Sequence, residues 1–262
     1  MLPALIRQLC LAVVLASLVA TAGCTLSRER VRRADATILA QQDTAISCAA
    51  LDACATRSPY RALYQTAVEA TAHGTPAHFA NLLDTGADSL ALRVHLIRSA
   101  RRSIDLQTFI FAEDDAGYLV LDELVKAARR GVRVRVLADQ LFSIDDDTLL
   151  ARLARAHANF ELRLYNPAFD KAATPPLEFA ANILCCFFRF NQRMHNKLLL
   201  VDDETGIAGG RNYENRYFDW DEEFDYRDRD VLVTGPMAGR QMHASFEAFW
   251  SHERTRPMAR LK

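Results

Sequence analysis

The stretch SIDLQTFIFAEDDAGYLVLDELVKAARRGVRVRVLAD, Ser103 to Asp139, decides the fold. Ser103 to Phe111 reads as a strand. Gly117 to Arg130 repeats its apolar residues at helical spacing and stops at Gly131, which can leave a helix in the left-handed conformation without steric cost. Val132 to Ala138 is the next strand, and the alternation of Arg133 and Arg135 with Val132, Val134 and Val136 predicts a half-exposed one. The same rhythm extends outward. Helices are predicted over Arg61 to Thr71, Ala87 to Arg101, Asp147 to Ala158 and Ala238 to Trp250; strands are predicted over Glu161 to Tyr165, Thr205 to Ala208 and Asp230 to Thr234. Repeated β-α units with short connections imply an α/β fold, a three-layer α-β-α sandwich with a mixed sheet.

Chemistry concentrates in Arg193-Met-His-Asn-Lys-Leu-Leu-Leu-Val-Asp202 and the following Gly209-Gly-Arg-Asn212. The spacing is H-x-K-x4-D and then G-G-x-N, in a chain with only four lysines. Met194 to Val201 reads as a strand that turns His195 and Lys197 to one face and Leu198 and Leu200 to the other. Gly209 and Gly210 let the backbone come close to a ligand before presenting Asn212. A phosphate held there meets an imidazole able to attack phosphorus, with Lys197, Gly210 and Asn212 to bind its oxygens and stabilise their charge. Asp202, directly after the strand, is placed to fix the loop. The imidazole needs an orienting carboxylate, and the acidic run Asp219 to Asp230 offers Asp228 first, then Glu222 or Glu223.

The motif resembles the catalytic signature of the phospholipase D superfamily. Asn191-Gln-Arg-Met-His-Asn-Lys, Gly209-Gly-Arg-Asn212 and Tyr217-Phe-Asp219 are most similar to its bacterial cardiolipin synthase C-type branch. The similarity runs from about Ala87 to Trp250 and includes Ser103–Phe111, Ala127–Asp139, Tyr226-Arg-Asp228 and Gly235-Pro236. It implies one phospholipase D-type lobe carrying out phosphatidyl or phosphodiester transfer through a phosphohistidine, without metal or other cofactor. Two motif copies meet at one site in that family, one histidine attacking and the other protonating the leaving oxygen. Here His73, His78, His95, His157, His243 and His252 are not followed two positions later by lysine, so one half-site is present. A homodimer can supply the other, or the chain is the first half of a two-lobed enzyme, the preferred reading. Three functions stay open: a cardiolipin synthase-like phosphatidyltransferase, a phospholipase D or nuclease-type phosphodiesterase acting as a homodimer, and an inactive fragment serving as an interaction module.

With 262 residues, 50% apolar content and net charge −1, the chain can bury a full core. Near-neutral charge argues against wide nucleic-acid contact. Residues 1–24 read as an address: Arg7, the apolar Leu9 to Ala20, then Thr21-Ala-Gly-Cys24, which resembles a bacterial lipoprotein signal with Cys24 as the lipid attachment site. An uncleaved anchor or ordinary signal peptide is the competing reading. Either places the chain in the cell envelope, membrane-anchored and facing the periplasm, against phospholipid such as phosphatidylglycerol or phosphatidylethanolamine. Residues 25–59 read as a tether of partly helical character and 60–262 as the lobe.

Cys48 and Cys54 are spaced to bridge, whereas the adjacent Cys185 and Cys186 read as small packed hydrophobes. No Cys/His spacing reads as a metal site. Leu177 to Phe190 is apolar nearly all round, which predicts a buried helix; the sharper expectation is that Phe187, Phe188 and Phe190 line a path for acyl chains.

Overall fold

The computed structural model describes residues 27–50 and 53–261. The proposed lipidation site Cys24 and the apolar run before it lie outside those residues. Eight strands form one mixed sheet: β1 (Phe79–Leu83), β2 (Ser103–Ile110), β3 (Arg133–Phe142), β4 (Phe160–Tyr165), β5 (Leu198–Val201), β6 (Thr205–Gly209), β7 (Asp230–Thr234) and β8 (Thr255–Pro257). Their order is β1-β7-β6-β5-β2-β3-β4-β8. β2, β3 and β4 run parallel, as the β-α-β pattern of Ser103 to Asp139 requires, and every other pairing is antiparallel. The described helices are α1 (Arg28–Gln41), α2 (Pro59–Ala72), α3 (Gly86–Ser99), α4 (Asp115–Arg129), α5 (Asp147–Ala154), α6 (Pro176–Phe190) and α7 (Pro236–Trp250).

Two cores make the three layers. On one face of the sheet, Leu90, Leu96 and Ile97 of α3 and Val120, Leu121 and Leu124 of α4 pack on Ile104, Leu106, Val134 and Val136. On the other, Phe246 and Trp250 of α7 pack on Leu137, Leu198 and Leu200. The helix starts are capped as their sequences allow: the side chain of Thr85 accepts from Asp88 N and that of Asp114 from Gly117 N. An ion network, buried at Arg135 and Asp105, fastens α7 to the sheet. Arg135 grips Asp105 with two bonds of 2.7 Å and also pairs with Glu247, while His243 bonds Asp203 at 2.9 Å.

Several expectations need correction. Arg135 is buried rather than on a half-exposed strand, because α7 covers this face and supplies both Glu247 and the rings of Phe246 and Trp250, 4.8 and 5.3 Å from the guanidinium. The edge strands β1 and β8 carry no readable alternation. Residues 28–58 contain α1 and are bonded to the lobe through Ser47 N to Arg129 O and Ala158 N to Asp43 O, and Cys48 bridges Cys54. Cys185 and Cys186 also form a disulfide, at a break in α6 where Cys186 leaves helical geometry.

The largest departure is α6 itself, which is not a buried helix. Leu177, Leu184 and Phe188 are each more than 80% exposed, at 86%, 87% and 85%. Phe190 turns inward against Phe179, so of the three phenylalanines expected to line an acyl path only Phe187 and Phe188 face out. Among the described residues no helix is long and apolar enough to cross a membrane.

Candidate active site

His195 and Lys197 lie in an irregular segment that enters β5, not on the strand, which begins at Leu198. Asp139, in the second half of β3, holds that segment. Its carboxylate accepts from Met194 N at 2.9 Å and pairs with Arg193 at 2.7 Å. Arg193 in turn donates to the carbonyls of Tyr165 and Asn166, and the Asn166 amide donates to those of Arg189 and Gln192. Met194 is fully buried beneath. The backbone is therefore fixed immediately before the histidine.

The two polar heads converge on one ring. The His195 imidazole stacks on Phe109 of β2 with centroids 4.0 Å apart, and Lys197 Nζ lies 5.4 Å from the centre of the same ring. Lys197 Nζ also donates to the carbonyl of His195 at 2.8 Å. Burial pushes the Lys197 ammonium below the ordinary lysine range, and the negative charge of Asp228 partly restores it. Among the described residues the imidazole makes no hydrogen bond, so its orientation comes from the Phe109 stack. The cleft beside it, about 270 Å³, is lined by Gln107, His195, Lys197, Gly209, Met242 and Ser245. Gln107 is wholly buried at its floor, with neither amide atom paired.

The two glycines exist to make room for carboxylates. A Cβ on Gly210 would stand 2.2 Å from both oxygens of Asp228, and one on Gly209 would stand 2.0 Å from Asp230 Oδ1. Asp228 thus sits beside Gly210 and acts on Lys197; its own hydrogen bond is accepted from Arg229 N at 2.7 Å, not given to His195. Asp230 is buried among Arg93 at 3.1 Å, Arg211 Nη1 at 3.2 Å and Ser89 Oγ at 2.7 Å. Burial alone would raise its pKa, but Arg93 and these hydrogen bonds outweigh it and hold the carboxyl below the usual range. Arg211, also buried, donates to the carbonyls of Leu83, Asp84 and Tyr217 and so locks the G-G-x-N loop to the start of α3.

Asn212 is buried, and neither it nor Gly210 is among the residues that line the cleft. Its Oδ1 accepts from Ile110 N at 3.0 Å, which ties the loop to the end of β2. Asp202 lies outside the cleft, at the other end of β5. There it accepts from the backbone N–H groups of Arg101, Arg102 and Ser103 at 3.1, 2.7 and 3.0 Å. Sequence reasoning overlooked Phe109, Gln107 and Asp139. Strand alternation does put Gln107 and Phe109 on one face of β2 with Asp105, but only the pairing of β2 with β5, Gln107 opposite Leu198, brings that face beneath His195.

A mixed sheet thus delivers a histidine and a lysine to one aromatic floor, beside a glycine loop. Residues 94–250 match the family described as "Cardiolipin synthase, PLD-like domain", and the chain belongs to that family of the phospholipase D superfamily. Cardiolipin synthase C of Escherichia coli is 35% identical over 179 residues, 68% of this chain and 36% of that protein. An uncharacterized protein of Helicobacter pylori is 38% identical over 181 residues, 69% of this chain and 35% of its own length. The chain spans about a third of the length of these relatives. Among solved structures, NucT from Helicobacter pylori superposes with a TM-score of 0.51 at 14% identity, over 70% of this chain and all of that one. Phosphatidylserine synthase of Haemophilus influenzae gives 0.50 at 18%, over 70% of this chain and 39% of that one. Both share the fold.

Proposed function

We propose that this chain is one catalytic half of a phosphatidyltransferase acting on membrane phospholipids in the manner of a cardiolipin synthase. The observation that carries the proposal is the His195 imidazole, stacked on Phe109 with no hydrogen bond among the described residues and with Lys197 against the same ring. An imidazole nitrogen so held attacks the phosphorus of a phospholipid; the new N–P bond replaces the P–O bond to the leaving alcohol. Lys197 neutralises charge on the phosphoryl oxygens. The leaving oxygen takes its proton from a second motif-bearing half, either another lobe or a second copy of this chain. An acceptor hydroxyl then attacks the phosphohistidine and frees His195. Asp228 tunes Lys197, while Asp139 and Asp202 hold the backbone on either side of the motif. The phospholipid, phosphatidylglycerol or phosphatidylethanolamine, is reached from the periplasmic face of the envelope through the Cys24 anchor.

That the matched stretch covers only 35–36% of these relatives, which leaves room in them for a second lobe, supports the two-lobed reading over a self-sufficient hydrolase. The test is to incubate the chain, alone and with a second motif-bearing lobe, with labelled phosphatidylglycerol and follow the lipid products. Cardiolipin formation with the wild type and none with His195→Ala is expected. Equal product from both would overturn the assignment of His195.

A further inference from the structure

We infer that α6 and an arginine groove beside it form a surface that docks the lobe onto an anionic phospholipid leaflet. The groove, about 660 Å³, lies between α1 and the C-terminal residues and is lined by Arg28, Arg32, Arg256 and Arg260, with Asp35 and Asp170. Arg256 is engaged by Asp170 at 3.0 Å. Arg28, Arg32 and Arg260 are exposed and have no carboxylate partner among the described residues. Guanidiniums left without acids around one concavity match phosphate oxygens in charge and geometry.

The apolar half of the surface is α6. Leu177 and Leu184 recur at a seven-residue interval, which puts them on one face, and Phe188, beyond the break at Cys186, is exposed to the same extent. Arg189, on the same helix, is exposed and likewise has no acid partner. The two halves are continuous. Asp170, which holds Arg256 in the groove, is followed by Lys171, which pairs with Glu178 in the first turn of α6. An exposed apolar ridge flanked by arginines is the pattern of a helix lying in the headgroup region of a bilayer.

Two further features favour lipid over other occupants. The groove begins at Arg28, just after the apolar stretch Leu9 to Ala20 in the chain, so the cationic cluster falls where a membrane-proximal segment would end. At its other end α6 runs directly into the segment bearing His195. Docking of α6 therefore brings the catalytic cleft to the lipid plane. The inference deepens the phospholipid reading of the site and rests on it for its purpose, but binding is measured without turnover.

The experiment uses the full chain in nanodiscs of phosphatidylcholine alone or with added phosphatidylglycerol, reading amide hydrogen exchange of residues 176–190 and 254–260. Any contribution of the N-terminal segment is common to both lipids, so the difference reports this surface. Exchange in both segments should slow when phosphatidylglycerol is present. R28Q/R32Q/R260Q should abolish the difference, weakening docking by about fivefold per guanidinium, which is about 1 kcal/mol each. L184S/F188S should leave residues 176–190 unprotected in either lipid. All five sites are solvent-exposed, and unchanged exchange in β5 certifies that the variants fold.

Identical rates in the two lipids, or unchanged protection in either variant, overturn the inference. So do slowing at 254–260 by inorganic phosphate alone with α6 left open, which marks a free-phosphate site, and concentration-dependent protection of α6 without lipid, which marks a second copy as the occupant. A chain inactive on every phosphodiester yet docking as described would refute the proposed function and leave this surface standing.

Discussion

Removing the Asp202 carboxylate should unfasten the loop that follows the catalytic strand and lower stability without touching the chemistry directly. Its two oxygens accept from three successive backbone N–H groups, those of Arg101, Arg102 and Ser103, and the residue itself sits in the left-handed region at φ 56°. A hydrogen bond to a charged acceptor contributes about 1.5–3 kcal/mol. Taking the lower end, because water can reach Arg101 and Arg102, the three sum to about 4 kcal/mol. Alanine also tolerates a positive φ less well than aspartate, at about 1 kcal/mol. Asp202→Ala should therefore cost about 5 kcal/mol. Asp202→Asn keeps an oxygen for Arg102 and Ser103 and should cost about 2 kcal/mol. Urea unfolding followed by tryptophan fluorescence reads both, and the alanine variant should melt about 10 °C or more below the parent. A loss under about 1 kcal/mol for Asp202→Ala, or equal losses for the two variants, would show that water replaces the carboxylate and refute the reasoning.

Asp228→Asn removes the charge that lifts the buried Lys197 back toward the lysine range, so the Lys197 pKa should fall further and the alkaline limb of the pH–rate profile should move to lower pH; an unmoved limb would dissociate the two residues. Gly210→Ala places a methyl 2.2 Å from the Asp228 oxygens, and because that side chain can swing away the fold should lose less than about 1 kcal/mol while turnover drops; a large loss of stability with normal turnover would contradict this. Asp230 has its folded pKa lowered by Arg93, Ser89 and Arg211 despite burial, so its contribution is complete above the unfolded value near 3.8 and disappears as pH falls through the lower folded value. Acid titration should loosen the Gly209–Asn212 loop below about pH 4, seen as faster amide exchange at Arg211, and Asp230→Asn should lessen that dependence.

What could be read beforehand was what local sequence determines. The helix stop at Gly131 and the alternation after it set β2, α4 and β3, because capping and period are properties of neighbouring residues. The H-x-K-x4-D spacing singled out His195 and Lys197, which the structure brings to one ring, although the segment proved irregular where a strand was expected: Asp139, more than fifty residues earlier, holds Met194 N in place of a strand partner. Residues whose meaning depends on a distant partner were not legible. Phe109 looks like any strand hydrophobe until β5 pairs with β2 and lays His195 across it. Arg135 alternates as an exposed residue would, yet Asp105 and Glu247 make its burial favourable. For α6, apolar composition establishes that a face avoids water but not what covers it, and a buried helix and an uncovered one share the same pattern.

The most direct measurement is to quench the reaction of the chain, assembled with its completing half, during turnover of phosphatidylglycerol and map the trapped phosphoryl adduct by peptide mass spectrometry under alkaline conditions that preserve phosphohistidine. The adduct should fall on His195 and vanish in His195→Ala, while Lys197→Met should lower its yield. An adduct on another residue, or full turnover in the His195→Ala assembly, would contradict nucleophilic attack by the imidazole that Phe109 holds.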